Sequence, residues 1–175
     1  MNYSFLSHLK KIFPLFEKNL PILTEIYITP DAGNVMESVK SVQAIENKGL
    51  VGDRYHDKRG YWKVTEACQV TVISKKDVEY ASKRAKTDHL SKAILAGDHR
   101  RNLVINYLDS KNLIGKKFKI GEVMFSFKRQ RPPCGYIDQV SQKDMCRSLG
   151  KRSGCCVEVI SSGMIHVGDA LVIIN

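Results

Sequence analysis

From residue 22 onward, apolar residues fall mostly in short runs, and glycine, proline and charged clusters separate them. Residues 22–29 (ILTEIYIT) are rich in β-branched side chains and are closed by Pro30, Asp31 and Gly33, which predicts a strand. Residues 35–45 carry a second candidate strand. Further strands are predicted over 69–73 (QVTVI), 102–105 (NLVI), 117–120 and 122–128, the last two joined at Gly121. The runs CCVEVI (155–160) and ALVII (170–174) read the same way, with Gly163 and Gly168 punctuating the link between them. Helical patterning is sparser. Ser74 is a natural N-cap for a helix over 75–86 whose buried face would use Val78, Ala81 and Ala85. Shorter helices are predicted over 89–96 and 142–149, the second ended by Gly150. Many short strands with glycine turns and few helices predict a mainly-β barrel or sandwich.

The first twenty residues differ. Phe5, Leu6, Leu9, Ile12, Phe13, Phe16 and Leu20 recur at roughly helical spacing around Lys10 and Lys11, and Pro14 would kink or break the run. The expectation is an amphipathic helical extension over 1–21 and a single β domain over 22–175. The extension would pack on its own domain or dock at an interface or partner. No apolar run approaches the ~20 residues of a membrane span, and no signal-peptide pattern is present.

The chain has 175 residues, 28 Lys and Arg against 18 Asp and Glu, and a formal charge of +10. That excess favours anionic partners such as a phosphorylated cofactor, nucleic acid or a membrane surface. Tyr and Phe are not interleaved with the basic residues as base-stacking platforms require, which disfavours nucleic acid. The five cysteines are Cys68, Cys134, Cys146, Cys155 and Cys156; the number is odd and no CxxC pair exists. A zinc site and a disulfide framework are therefore not expected, and the reading is a reducing, cytoplasmic setting. Cys155 and Cys156, as neighbours on a strand, point to opposite faces and cannot chelate one metal.

Three polar segments exceed what a core needs: Gly52 to His56, Gly97 to Asn102, and Arg129 to Cys134. In the third, FKRQRPPCGYID (127–138), Pro132 and Pro133 stiffen an extended lead-in that ends a strand and leaves Cys134 and Gly135 at the bend. A strand period of two puts Arg129 and Arg131 on one face. Nearby cations favour a thiolate, the form that ligates soft metals or attacks sulfur. Arginine binds phosphate bidentately. Arg54, His56, Arg100, Arg101, Asn102, Arg129 and Arg131 are thus candidates to hold a phosphate, and Cys134 is the candidate catalytic or metal-ligating residue. Cys146 is a candidate to resolve an oxidised Cys134. The competing readings are a buried cysteine at a turn, solvated histidines and structural ion pairs.

Six ordered motifs give these residues a context. They are Lys48-Gly49-Leu50-Val51-Gly52-Asp53-Arg54, Gln69 to Ile73, and Arg100-Arg101-Asn102-Leu103-Val104. Leu113-Ile114-Gly115 with Ile120-Gly121-Glu122, Pro133-Cys134, and Gly163-Met164-Ile165 with Val167-Gly168-Asp169 complete the set. Together they resemble the MOSC domain, named for the C-terminal part of molybdenum cofactor sulfurase, over about residues 22–174. The resemblance implies a compact β-barrel with a few peripheral helices. It also implies a role in carrying sulfur as a persulfide or in binding the molybdenum cofactor (molybdopterin), with Cys134 as persulfide carrier or molybdenum ligand. Cysteine desulfurases or molybdenum cofactor enzymes are the implied partners. In larger relatives the matching cysteine ligates molybdenum in reductases of N-hydroxylated compounds. Those relatives have an additional N-terminal barrel, which a chain of this length is expected to lack. Covalent pyridoxal phosphate is not expected either. Tyr55 stands where the family has its usual histidine, with His56 one position late. A molybdenum-dependent reductase and a basic nucleic-acid-binding module stay as alternatives.

Overall fold

The two most continuous apolar runs lie at the centre of the molecule. In the computed structural model, which describes residues 20–61 and 68–174, β5 (Val70–Ser74) is buried at every position and pairs in parallel with β6 (Leu103–Asn106). Both strands are covered on both faces, which is why they lack polar alternation. Val70, Val72, Leu103 and Ile105 face one core. Ile73 and Val104 face a second core against the helices. The parallel pair is joined by α1 (Lys75–Lys83), α2 (Asp88–Ala93) and a wide turn over Ile94–Asp98.

Every other strand pairing is antiparallel. β1 (Ile22–Ile28) and then β2 (Glu37–Val39) extend from β6, and β9 (Cys155–Ser161), β8 (Val123–Gln130), β7 (Lys117–Ile120) and β11 (Leu171–Ile174) extend in turn from β5. The eight-stranded order is β11-β7-β8-β9-β5-β6-β1-β2, and β10 (Gly163–His166), β3 (Ser41–Ile45) and β4 (Gly49–Leu50) form a second, three-stranded sheet. Phe118, Phe125, Val157, Val159 and Ile165 fill the space the two sheets enclose. Two short helices, α3 (Tyr136–Val140) and α4 (Met145–Leu149), complete the helical layer.

The mainly-β class with few helices is as expected from sequence. The sheet does not close into the expected barrel. The edge of β1 is divided: Ile26 to Ile28 pair with β2, while Leu23 N–H donates to Asp169 O (2.9 Å) and Leu171 N–H to Pro21 O (2.7 Å). That leaves a single bridge, Ile22 to Ala170, rather than a ladder to β11. The single strand expected over 35–45 is two. The chain bends at Lys40 and changes sheets, so β2 pairs with β1 and β3 with β10. The segment at 163–166, taken from sequence as a link, is strand β10. The helix expected over 142–149 is confined to Met145–Leu149, because Asp144 sits in the left-handed region at φ 69°. Residues 1–19, where the amphipathic extension was expected, lie outside the described residues. No helix of the described residues is long and apolar enough to cross a membrane.

Candidate functional site

Asp53 organises the first wall of the site. It is fully buried, a costly place for a carboxylate unless it is paired and hydrogen-bonded. Its Oδ2 accepts from Thr29 N–H (3.2 Å), Asn102 Nδ2 (2.9 Å) and Arg54 Nη1 (3.0 Å), and its Oδ1 accepts from Tyr55 N–H (3.1 Å). Burial pushes the Asp53 carboxyl up from its ordinary value, and Arg54 and these donors pull it back. Arg54 is thereby held rigid: Nη2 donates to Arg100 O (3.2 Å), and its guanidinium lies 4.4 Å from the centroid of the Tyr55 ring.

The second wall follows the wide turn. Gly97 has φ 101°, and a Cβ there would collide with the Tyr27 ring, so only glycine lets the chain turn this tightly. Arg100 follows at φ 59°. Its Nη1 donates to Asn34 O (2.8 Å), while Nη2 is buried with no acceptor. Arg101 is 4% exposed. It donates through Nε to Ser153 O (2.7 Å), through Nη1 to His99 O (3.0 Å) and through Nη2 to Ser153 Oγ. None of these acceptors is a carboxylate. Burial, followed by the Arg131 and Arg54 cations, lowers the Arg101 guanidinium to about 9 from its usual 12.5. His99 beneath it accepts from Arg101 N–H at Nδ1 (3.1 Å), and burial and then Arg101 hold the imidazole down at about 3.

The third wall is the proline-stiffened segment. Arg131 N–H donates to Gly154 O (2.9 Å), and Arg131 Nη2 donates to the Tyr55 hydroxyl (3.1 Å). Burial raises the Tyr55 phenol, but Arg54, Arg131 and Arg101 outweigh it, and its pKa falls below the ordinary value. Cys134 O accepts from Ile137 N–H (3.0 Å), starting α3 directly after the cysteine.

Arg54, Arg100, Arg101, Arg131 and Cys134 line one cavity of about 240 Å³. Lys58, Tyr55, Tyr61 and Tyr136 share its wall, the last two rings stacked with centroids 3.7 Å apart; no carboxylate among the described residues lines it. Three candidates from sequence do not line it. Asn102 is buried behind the wall, its carbonyl accepting from Thr71 N–H (3.0 Å) and Thr71 Oγ1 (2.7 Å) and its amide donating to Tyr27 O (3.0 Å) and Asp53. His56 pairs with Asp57 (2.6 Å). Arg129 Nη1 donates to Gln130 O (3.2 Å). The β8–β9 register slips between Phe127 and Arg129, and β8 ends at Gln130 before Arg131. The strand period therefore does not carry Arg129 into the cavity with Arg131. Tyr55 enters from sequence only as the residue in place of the family's usual histidine, and Tyr61 and Tyr136 are not among the sequence candidates, although Tyr136 sits two residues after Cys134.

The cysteines sort by environment. Cys134 is half-buried and free. Cys68, which lines the same cavity, is joined to Cys156 in a disulfide with Cα atoms 5.5 Å apart, although no disulfide was expected from sequence. The pairing spans 88 residues, and the odd cysteine count concealed it. Burial raises the Cys155 thiol to about 12. Burial, Asp138 and Cys134 raise the Cys146 thiol. No cluster of three or more His, Cys, Asp or Glu able to hold a metal occurs among the described residues.

The sequence matches the model of the MOSC domain over residues 52–172. No functionally curated protein matches the chain. Among solved structures, the fold is similar to YuaD from Bacillus subtilis (TM-score 0.67, 13% identity, covering 87% of this chain and 94% of that one). It is also similar to YiiM from Escherichia coli (TM-score 0.61, 17% identity, 87% and 70%) and YiiM from Geobacillus stearothermophilus (TM-score 0.62, 15% identity, 89% and 75%).

Proposed function

The chain belongs to the MOSC domain family, and from that premise we propose that it handles sulfur or the molybdenum cofactor at Cys134. In this reading Arg54, Arg100, Arg101 and Arg131 hold the anionic part of the ligand. The observation that carries it is a single cavity that presents one thiol and four guanidiniums and has no carboxylate on its described wall.

The residues present suit a pterin phosphate and a soft metal. Arg100 Nη2 is a buried donor without an acceptor, and a phosphate oxygen would supply one. Arg101 already has its back to Ser153 and His99, so little side-chain entropy is left to lose on binding. Cys134 thiolate is the ligand type that molybdenum–sulfur chemistry uses. When bound, the cofactor supplies two-electron redox chemistry. The chain's own part is to orient the anion with its arginines and to position the Tyr55 oxygen, to which Arg131 donates. In the sulfur-carrying form of the reading, the same cations stabilise a perthiolate on Cys134.

Metal and pterin analysis of protein purified from a molybdenum-competent host tests the cofactor form. Incubation with a cysteine desulfurase and cysteine, followed by mass analysis of the Cys134 peptide, tests the sulfur form. Cys134→Ser is expected to abolish whichever occurs and to keep the melting temperature. Arg101→Ala is expected to weaken binding of the pterin phosphate by about 1.5–3 kcal/mol, the scale of a hydrogen bond to a charged group. Cys134→Ser protein that binds cofactor and carries sulfur like the wild type would sink the proposal.

A further inference from the structure

We propose that Cys68 and Cys156 are the reducing dithiol of the cavity, which discharges the sulfur held on Cys134 as sulfide. The inference rests on the sulfur-carrying form of the reading above.

Position carries the argument. Cys68 is on the wall of the cavity that Cys134 lines, and it is bonded to Cys156. Cys156 is fully buried on β9, opposite Thr71 of β5 and Arg129 of β8. One partner of the pair thus faces the cavity, while the other is anchored in the centre of the sheet. Cys155, the strand neighbour of Cys156, packs into the apolar core, and Cys146, although near enough for Cys134 to raise its thiol, does not line the cavity. Cys134 itself is free, and its cavity is shared with one member of the Cys68–Cys156 pair.

The chemistry balances without an outside oxidant. Starting from Cys134–S–SH and two thiols, the Cys68 thiolate attacks the terminal sulfur. The S–S bond to Cys134 breaks, and Cys134 leaves as thiolate. Cys156 thiolate then attacks the Cys68 sulfur and expels hydrosulfide, closing the Cys68–Cys156 bond. The transferred sulfur gains two electrons and leaves as hydrogen sulfide. The two cysteine sulfurs lose those electrons; of their two protons, one joins the hydrosulfide, which already carries the persulfide's own proton, and the other goes to the Cys134 thiolate or to solvent. The cations around Cys134 favour each anionic sulfur that appears. A low-molecular-weight thiol or dithiol resets the pair.

The test uses full-length protein reduced with dithiothreitol, desalted anaerobically and given one equivalent of glutathione persulfide. Sulfide release is followed colorimetrically, and peptide masses report where sulfur and crosslinks reside. The wild type is expected to load Cys134 and then release one sulfide per chain as the Cys68–Cys156 crosslink appears in step. Cys68→Ser is expected to load Cys134 equally well, keep the extra sulfur mass there, and release sulfide about tenfold more slowly or worse. Cys156→Ser should also release sulfide slowly, with the extra sulfur mass on Cys68 as well as Cys134; because Cys156 is fully buried, Cys68→Ser is the deciding variant if that protein does not fold. A Cys68→Ser protein that releases sulfide at the wild-type rate overturns the inference. So does wild-type protein that holds its sulfur on Cys134 with Cys68 and Cys156 still reduced; both outcomes leave the carrier reading intact. If Cys134 never acquires sulfur, the carrier reading falls and this inference with it.

Discussion

Asn102 separates architecture from ligand binding at this site. Its motif, Arg100-Arg101-Asn102, marked all three residues as cofactor contacts, yet Asn102 is fully buried behind the cavity wall. Its side chain makes four hydrogen bonds, two to Thr71, one to Tyr27 O and one to Asp53. Asn102→Ala removes all four. Leaving the Thr71 N–H and Tyr27 C=O unsatisfied costs about 1–3 kcal/mol each, and losing a bond to the charged Asp53 costs about 1.5–3 kcal/mol. Partial relaxation and entering water reduce the sum, so the expected loss is about 4 kcal/mol, a large share of the 5–15 kcal/mol typical of a domain. With a urea m-value of about 2 kcal/mol/M, the unfolding midpoint should fall by about 2 M. Asn102→Asp is the sharper probe because it keeps the shape and the Thr71 contacts. It replaces the donor amide by an oxygen facing Tyr27 O and the Asp53 carboxylate. Two adjacent carboxylates raise the folded-state pKa of the pair above its unfolded value. The penalty is therefore full at neutral pH and shrinks, relative to wild type, as pH falls through that raised pKa. Urea titrations at pH 7 and pH 5 measure both effects. An Asn102→Ala protein that loses less than about 1 kcal/mol while losing anion affinity would refute the argument and return Asn102 to the ligand.

Three further outcomes are expected. His99 is held neutral in the fold down to about 3, against 6.5 when unfolded, so below pH 6.5 the unfolded chain takes up a proton that the native state refuses. Wild-type stability should then fall by about 1.4 kcal/mol per pH unit from this group, and His99→Asn should flatten that slope in denaturation midpoints measured from pH 7 to 5. Iodoacetamide should modify Cys134 first, Cys146 later and Cys155 last, because Cys134 is free and half-buried while burial raises the other two thiols; equal labelling of the three in native protein would contradict this. An ultraviolet titration should show a phenol ionising below the usual tyrosine range, despite its burial, because Arg54, Arg131 and Arg101 face Tyr55; the step should vanish in Tyr55→Phe.

The centre of the fold was legible as strands: QVTVI and NLVI read as strands from sequence, and they are β5 and β6, whose burial on both faces explains their continuous apolar make-up. The helix after Ser74 was legible for a similar reason, its Val78 and Ala81 recurring on the buried face. Short partners were not. β10 has four residues and a glycine at its start, and its pairing with β3 is a long-range fact. At the site, sequence marked the segments that converge and named four of the arginines on the cavity wall. It could not tell which side chains turn inward. A register slip in β8 removed Arg129 from the set, and the buried acceptors around Asn102 claimed that residue for the scaffold. The Cys68–Cys156 pair joins the segment just before β5 to β9, and no spacing rule reaches across 88 residues.

The arginine cavity also bears on how the protein should be handled. Positions 54, 100–101 and 131 are far apart in an extended chain, and folding draws their charges together; among the described residues only Asp53, through Arg54, is paired against them by a salt bridge. Work done against that repulsion is returned by any anion that recognises the assembled cavity and ignores the unfolded chain. At a hundred times its dissociation constant, such an anion adds about 2.7 kcal/mol of stability. Buffer composition is thus a structural variable for this protein. A melting curve recorded in phosphate and one recorded in a weakly binding buffer describe different species.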